Sequence, residues 1–176
     1  MGSAANATGD VLVIFGITGD LAKKMTFRSL YRLERRGMLD CPIVGVALDD
    51  WSAATLREHA RSAIVNTGET ISEDVFERLA ARLSMVSGDF ADPKTYDRVA
   101  KALKGKHHPV FYLEIPPSLF GRVVAGLVGA NLTSRARVVV EKPFGHDLES
   151  ARALNAQLRG HLEEWQIYRI DHFLGK

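Results

Sequence analysis

The last eight residues of the chain, 169–176, bring together side chains that can perform acid–base and anion-binding chemistry. A short apolar run ends at Ile170 and is followed by Asp171 and His172, with Lys176 four residues further on. A carboxylate beside an imidazole can set the tautomer and the charge of the ring, and a lysine can hold an anion. Because free chain ends are usually frayed, a free tail has little use for such a group. The chain is therefore predicted to be the first domain of a longer enzyme.

A second group of residues, 16–21, follows the first apolar run and opens the first helical pattern. In alternating strand–helix chains the pyrophosphate of a dinucleotide meets a helix N-terminus at this place. Gly16 permits close approach of the backbone, Gly19 is predicted to allow tight packing of helix on strand, and Thr18 can donate its hydroxyl. The usual first glycine of the fingerprint is absent, because Ile14 holds that position. A bare Gly-x-x-Gly is a weak signal, but its position here predicts nucleotide binding.

The segment after the second apolar run normally selects the cofactor. An acidic residue there bonds the 2′-hydroxyl of the adenine ribose, whereas an arginine favours a 2′-phosphate. Residues 46–51 contain Asp49 and Asp50 and no arginine. Two interpretations stay open: the two carboxylates weaken NADP binding relative to NAD by repelling the phosphate, or they only cap the helix that follows.

Lys142 follows a run of valines at the carboxyl end of another predicted strand, which is where parallel sheets place ligand-binding residues. A lysine there can orient a substrate hydroxyl or phosphate and lie beside a nicotinamide. A cis bond before Pro143 would aim Lys142 inward, and both isomers remain open. The alternative interpretation is a strand end with a solvated lysine and a turn proline.

Short apolar runs alternate with longer amphipathic stretches and must position these residues. The pattern predicts an α/β fold, a Rossmann-like doubly wound parallel sheet with right-handed crossovers. The predicted strands are residues 11–15, 43–47, 84–87, 110–113, 137–140 and 166–170. The predicted helices are residues 21–36, 52–66, 72–83, 92–104, 117–130 and 147–163. Residues 1–10 are predicted to be a flexible N-terminus, and residues 11–176 one dinucleotide-binding domain that ends inside a phosphate-binding motif.

The bulk composition excludes several functional classes. The 176 residues fit one domain, and a hydrophobic share of 46% is sufficient for one core. A net charge of +2 is too small for a nucleic-acid or membrane surface, and no apolar run reaches the roughly 18 residues of a transmembrane helix. The single Cys41 fits a reducing cytoplasm. No zinc or calcium ligand pattern occurs, so no metal is predicted.

Four segments taken together resemble glucose-6-phosphate dehydrogenase: FGITGDLAKK at 15–24, FYLEIPP at 111–117, EKPFG at 141–145 and RIDHFLGK at 169–176. The resemblance extends over nearly the whole chain, residues 11–176. It implies oxidation of glucose 6-phosphate at its first carbon, with hydride transfer to NADP or NAD. The product would be a phosphogluconolactone. This oxidation would be the entry step of the pentose phosphate pathway.

The resemblance also implies roles for single residues. Asp171 would pair with the catalytic histidine of the family, orienting its ring and stabilising the cationic form. Lys142 would touch both substrate and cofactor. The sugar phosphate would be held by His172, Phe173 and Lys176. Together with Asp49, the residues expected to lie along the dinucleotide are Gly16, Ile17, Thr18, Gly19, Asp20, Leu21, Asp89, Phe90, Ile115 and Pro116.

Three departures from the family pattern matter. The catalytic base and a second domain, which closes the sugar pocket and makes the contact of a homo-oligomer, come from later segments, so this chain alone is expected to have negligible activity. Phe173 stands where the family commonly has a tyrosine, which removes a hydrogen bond of about 1–3 kcal/mol to the phosphate. Leu48 stands where the family usually has the arginine that reads the 2′-phosphate, which leaves the cofactor preference open.

Two other functions remain as alternatives. One is a different nicotinamide-dependent sugar oxidoreductase, since enzymes resembling glucose-fructose oxidoreductase also carry Glu-Lys-Pro after the fifth strand. The other is a non-catalytic nucleotide-binding fragment, which would gain nothing from extension of the chain.

Overall fold

A computed structural model describes residues 7–142 and 147–171. Within these residues, six parallel strands form one sheet in the order β3-β2-β1-β4-β5-β6. The strands are β1 (Val11–Phe15), β2 (Ile43–Ala47), β3 (Leu83–Ser87), β4 (Pro109–Leu113), β5 (Arg137–Glu141) and β6 (Ile167–Ile170). The strand order changes direction between β1 and β4, and Rossmann-type sheets bind ligands at this switch point. The predicted α/β fold is confirmed.

Helices cover both faces of the sheet, as right-handed crossovers require. One face carries a π-helical turn (Ala22–Thr26), α1 (Phe27–Arg35), α2 (Ala53–Asn66) and α3 (Glu73–Arg82). The other face carries α4 (Pro93–Ala102), α5 (Phe120–Gly129) and α6 (Leu148–Arg159). Short 3₁₀ turns, Pro117–Leu119 and Glu164–Gln166, precede α5 and β6.

The core is divided by the sheet into two apolar layers. Along β1, the side chains of Val11, Val13 and Phe15 pack into the layer under α4, α5 and α6, while Ile14 packs into the layer under α1, α2 and α3. A strand buried on both faces needs apolar residues at successive positions, which explains the absence of polar alternation in its sequence. This packing fixes the level at which β1 ends, and therefore the position of the loop that follows it.

Polar caps set several of the helix ends. The hydroxyl of Ser52 accepts a hydrogen bond of 3.0 Å from the backbone N–H of Thr55, as the sequence predicts for an N-cap. The carboxylate of Asp92 accepts one from the N–H of Lys94 at 3.0 Å. The helix predicted for residues 147–163 ends earlier, at Arg159. Gly160 follows this end, and a 3₁₀ turn then leads directly into β6.

Residues 7–10 lie beside the amino edge of the sheet. The carboxylate of Asp10 accepts hydrogen bonds from the backbone N–H groups of His107 and His108, at 2.6 and 3.0 Å. The domain limits drawn from the sequence stay a prediction. Among the residues that the structure describes, no helix has the length and apolar character needed to cross a membrane.

Candidate active site at the carboxyl edge of the sheet

A cleft of about 330 Å³ opens at the carboxyl edge of the sheet, beside the ends of β1, β4 and β5. It brings together three segments that the sequence singles out. The residues that line it are Gly19, Asp20, Leu21, Leu113, Glu114, Ile115, Pro116, Pro117, Glu141 and Lys142. Five of the residues expected at a dinucleotide therefore share one cleft with the lysine expected to touch the substrate.

Gly16 occupies a position that only glycine can fill. Its φ angle is 84°, in the left-handed region, and an added Cβ would lie 2.2 Å from the carbonyl oxygen of Glu114. Its N–H donates to the carbonyl of Val46 at 2.8 Å, and the N–H of Glu114 donates to the carbonyl of Phe15 at 2.9 Å. The turn after β1 is thereby held against the ends of both neighbouring strands.

Gly19 lies on the open side of the same turn. Its N–H donates to the carbonyl of Gly16 at 2.9 Å, and an added Cβ would meet only that oxygen, at 3.1 Å. The expectation that Gly19 serves tight packing of helix on strand is therefore wrong. Its missing side chain instead leaves the backbone of the turn accessible from outside, next to the first N–H groups of a helix. Such a surface suits a pyrophosphate.

Ile17 anchors the loop from below. Its side chain is fully buried, and an added Cβ on Gly45 of β2 would lie 2.7 Å from its Cγ2. A ligand could reach only the backbone of Ile17, because the side chain belongs to the core.

The loop continues into an irregular helix start that the sequence does not predict. The segment expected as one α-helix over residues 21–36 begins with the π-helical turn before α1. The hydroxyl of Thr26, on this turn, donates to the carboxylate of Glu114, and both residues are buried. Single π-helical turns are frequent at functional sites. Nothing in the spacing of Thr26 and Glu114, 88 residues apart, signals this contact.

Asp49 is joined to residues 16–21, the loop after β1 that is called the phosphate loop below because the sequence predicts nucleotide binding there. The hydroxyl of Thr18 donates to its carboxylate at 2.6 Å, although the two residues lie 31 positions apart. The N-cap of α2 is Ser52, so the interpretation of Asp49 and Asp50 as caps is wrong. The side chain of Leu48 is 71% exposed next to them. The end of β2 thus offers one carboxylate fixed at the loop and one apolar side chain in solvent.

Asp89 and Phe90 lie beyond β3, one strand further out. The carboxylate of Asp89 accepts a hydrogen bond of 2.8 Å from the N–H of Ala91. The ring of Phe90 packs edge-on against Phe15, with 5.5 Å between the ring centroids. The hydroxyl of Tyr96 donates to the carbonyl of Phe90 at 2.8 Å, and burial raises the pKa of Tyr96 to about 12, so this donor keeps its proton at neutral pH.

The two residues predicted to be catalytic meet at the ends of β5 and β6. The Nζ atom of Lys142 lies 3.0 Å from Oδ2 of Asp171, and the backbone N–H of Lys142 donates to the carbonyl of Ile170 at 3.1 Å. The lysine side chain is 54% exposed and the aspartate side chain 30% exposed. Neighbouring parallel strands end at the same level, which is why residues 29 positions apart are in contact.

Some predicted residues lie outside the described part of the chain. These are Pro143, His172, Phe173 and Lys176. In the part that is described, no group of three or more His, Cys, Asp or Glu side chains could hold a metal ion. Chemically, the described edge offers a backbone surface that suits an anion, the carboxylate of Asp49 at the end of β2, and a lysine–aspartate pair beside the cleft.

Comparison with known proteins assigns this arrangement to one family. The family model described as "Glucose-6-phosphate dehydrogenase, NAD binding domain" matches residues 13–176. Glucose-6-phosphate 1-dehydrogenase 1 of Mycobacterium tuberculosis is 56% identical over the whole chain, which spans 38% of that relative. The crystal structure of glucose-6-phosphate 1-dehydrogenase from Mycobacterium avium is 60% identical, with a TM-score of 0.92 over 96% of this chain and 37% of that one. A glucose-6-phosphate dehydrogenase in complex with glucose-6-phosphate is 34% identical, with a TM-score of 0.87 over 97% of this chain and 38% of that one.

Proposed function

Because the chain belongs to the glucose-6-phosphate dehydrogenase family, matching its NAD-binding domain, we propose that it holds the NADP or NAD of a glucose-6-phosphate 1-dehydrogenase. The observation that carries this proposal is the turn at Gly16 and Gly19. One glycine is forced by contact with a neighbouring strand, and the other leaves the backbone open to a ligand. The pyrophosphate would lie against this backbone, at the positive end of the helix that begins here.

The rest of the dinucleotide would follow the edge of the sheet in two directions from the pyrophosphate. Toward β3, the adenine ribose would meet Asp49, and the adenosine would approach Asp89 and Phe90. Toward β4, the nicotinamide would lie along Ile115 and Pro116 in the cleft. When bound, the nicotinamide would accept the hydride. The protein residues around it would bind and orient the ring and exclude water.

We propose that the carboxylate of Asp49 favours NAD over NADP. A ribose 2′-hydroxyl can donate to this carboxylate, whereas a 2′-phosphate would be repelled by it. The hydrogen bond from Thr18 supports this assignment, because it holds the carboxylate at the loop. The exposed Leu48 supplies no cation to offset the repulsion.

For the substrate, the chain would contribute Lys142 and Asp171. The ammonium of Lys142 would donate to a sugar hydroxyl or phosphate oxygen and keep the sugar beside the nicotinamide. Asp171 would orient the family's catalytic histidine, which removes the proton from the first hydroxyl of the sugar. The contact between Lys142 and Asp171 supports a common site for the two roles. The sugar phosphate would be held by His172, Phe173 and Lys176.

Several wider statements complete the proposal. The substrate would be glucose 6-phosphate, and the reaction would be the entry step of the pentose phosphate pathway in glucose metabolism. The longer enzyme would be a homo-oligomer. The single cysteine, Cys41, supports a cytoplasmic location, since a reducing compartment needs no disulfides.

A chimeric enzyme tests this function. This chain would replace the matched segment of the M. tuberculosis relative, and reduction of NADP and NAD by glucose 6-phosphate would be followed by absorbance. The chimera is expected to turn over, whereas the 176-residue chain alone is expected to show negligible activity. Lys142→Met in the chimera should lower kcat/KM at least about a hundredfold, or about 2.7 kcal/mol.

A matched control separates this effect from a general change of charge. Lys101→Met removes an exposed lysine from α4, on the outer surface of the domain. It should leave kcat and KM within about twofold of the parent chimera. A folded chimera that binds the dinucleotide but oxidises no glucose 6-phosphate would refute the substrate assignment, and loss of activity in both lysine variants would refute the role of Lys142.

A further inference from the structure

A second cleft lies on the helical face beside the phosphate loop, between the π-helical turn and α2. Its volume is about 370 Å³. The polar residues that line it are Lys23, Lys24, His59, Ser62, Asn66 and Thr67, with Ala63 as the apolar wall. No carboxylate is among these lining residues, so the cleft presents positive charge and hydrogen-bond donors.

One donor of this cleft has a partner, since the hydroxyl of Thr67 donates to the carbonyl of Ile64 at 2.7 Å. The side chains of Lys23, Lys24, Ser62 and Asn66 are exposed. Neither Lys23 nor Lys24 forms an ion pair within the described part of the chain, and the side chains of Ser62 and Asn66 make no hydrogen bond to described residues. The Nε2 atom of His59 is buried and has no hydrogen-bond partner. A buried polar atom without a partner is costly and calls for an explanation. A bound anion would supply an acceptor to His59 and to the exposed donors around it.

The basic side chains of the neighbouring helix α1 differ from Lys23 and Lys24 because they form ion pairs. Arg28, Arg32 and Arg35 on α1 all contact the carboxylate of Glu69, at 3.0, 2.8 and 3.0 Å. Among the described residues, Glu69 therefore pairs with the cations one turn further on, and no acid pairs with Lys23 or Lys24.

The cleft lies next to the expected ribose position of a dinucleotide. The backbone N–H of Lys23 donates to the carbonyl of Gly19 at 3.2 Å, which places Lys23 one turn beyond the phosphate loop. The ring of His59 packs on Trp51, with 4.7 Å between centroids, close to the end of β2. Burial lowers the pKa of His59, the charge of Lys23 lowers it further, and the charge of Asp49 acts in the opposite direction.

We propose that this cleft binds a dianionic phosphate group. Two lysines can neutralise the dianion as point charges, and the serine, asparagine and histidine can donate to its oxygens. The phosphate could come from two sources: the 2′-phosphate of NADP, which Lys23 and Lys24 would attract against the repulsion of Asp49, or a free phosphate monoester. The first source rests on the proposed function, whereas the second does not.

Inorganic phosphate is the probe for the free source. The 176-residue chain would be titrated with phosphate while the ring signals of His59 are followed by NMR. Saturable shifts and a raised pKa of His59 are expected, because a bound dianion offsets the charge of Lys23. Lys23→Met should weaken phosphate binding at least about tenfold, and Lys101→Met, which removes an exposed lysine elsewhere, should leave it unchanged.

Calorimetric titration with NADP and NAD separates the two sources. If the phosphate belongs to the cofactor, Lys23→Met should lower NADP affinity about tenfold and leave NAD affinity unchanged, since only NADP carries the 2′-phosphate. Loss of phosphate binding with unchanged NADP affinity would support the free monoester.

Two results would overturn the proposal. One is a Lys23→Met variant that binds phosphate and NADP like the parent chain. The other is an equal loss of NADP and NAD affinity, because the lysine would then act on the pyrophosphate that both cofactors share. Failure of the parent chain to bind either NADP or NAD would count instead against the proposed function.

Discussion

At the scale of single residues, the proposed cofactor site depends on Gly16 and Asp49 at the edge of the sheet. At Gly16 the carbonyl of Glu114 leaves no room for a Cβ, so the turn can pass under a ligand. At Asp49 a carboxylate is held at the turn by Thr18. In the proposed function, Gly16 would decide whether a dinucleotide fits, and Asp49 would decide which dinucleotide is preferred.

Removing the charge of Asp49 should change the cofactor preference. We expect Asp49→Asn to raise the ratio of NADP to NAD affinity about tenfold, or about 1.4 kcal/mol, because the amide no longer repels a 2′-phosphate. Calorimetric titration with both cofactors measures this ratio. Asp50→Asn removes the adjacent exposed charge, which no Thr18 hydroxyl contacts, and should change the ratio much less. An unchanged ratio in Asp49→Asn would place the ribose elsewhere.

At this scale the sequence predicts the residues of local motifs and misses the long-range ones. The loop glycines and Lys142 are predictable because each closely follows an apolar run that predicts the end of a strand. The bond between Thr26 and Glu114 is not, since it depends on how β4 is placed beside the first helix. The cleft at His59 is missed for the same reason: an isolated histidine on α2 resembles any surface residue.

Among the elements, α1 carries a basic face whose arginines form ion pairs with one glutamate outside the helix. The spacing of Arg28, Arg32 and Arg35 places them on one face of α1. In the structure all three contact Glu69, in the connection between α2 and α3. The hydroxyl of Tyr31 accepts a further hydrogen bond of 2.7 Å from the N–H of Ser72 in the same connection.

This cluster should make stability depend on pH. Hydrogen bonds from Arg28 and then Arg32 hold the pKa of Glu69 below its usual value. A carboxyl group with a lowered pKa stabilises the folded state at neutral pH, and this contribution is lost as the pH falls through the folded-state pKa. Glu69→Gln should therefore lower Tm at neutral pH, and the difference from the parent chain should shrink in acid.

Thermal unfolding of the two chains across acidic and neutral pH measures this difference. Glu58→Gln on α2, whose side chain is exposed and makes no ion pair with the described residues, is the matched control and should have little effect at any pH. A Glu69→Gln deficit that stays constant down to strongly acidic pH would contradict the charge-based account.

Two glycines of α5 provide a test of helix packing. An added Cβ on Gly126 would lie 2.1 Å from the ring of Tyr96, so α4 and α5 approach closely there, whereas one on Gly129 would meet nothing within 4 Å. Gly126→Ala should destabilise the chain by about 1–3 kcal/mol through overpacking. Gly129→Ala should be neutral or stabilise it by up to about 1 kcal/mol, because alanine favours the helix. Urea unfolding compares the two variants, and equal effects would argue against this packing.

Element bounds were predictable where packing and local signals agree. The first two strands have the predicted limits, because each is a fully apolar run closed by a turn. The π-helical turn could not be predicted, since it differs from an α-helix only in hydrogen-bond spacing, i→i+5 instead of i→i+4, and is accompanied by a buried tertiary contact at Thr26. The helix α6 ends before Gly160. The sequence-based prediction extends this helix to residue 163 because the apolar pattern continues past that glycine.

For the whole molecule, the order of strands in the sheet brings the residues of the candidate site together. Adjacent strands β5 and β6 bring Lys142 and Asp171 into contact, and the switch point between β1 and β4 leaves room for a ligand above the phosphate loop. The chain spans about 38% of the length of the mycobacterial relative, so the proposed catalysis concerns a longer polypeptide. The central claim for this chain is that its edge binds a nicotinamide dinucleotide.

Calorimetric titration of this chain with NAD and NADP tests that claim most directly. We expect saturable binding of at least one cofactor, with loss of binding in Gly19→Val, whose added side chain would cover the open side of the turn while meeting only one protein atom at its Cβ. Gly129→Ala should bind like the parent chain, and circular dichroism should show that all three are folded. A folded parent chain that binds neither cofactor, or equal binding by Gly19→Val, would contradict the account.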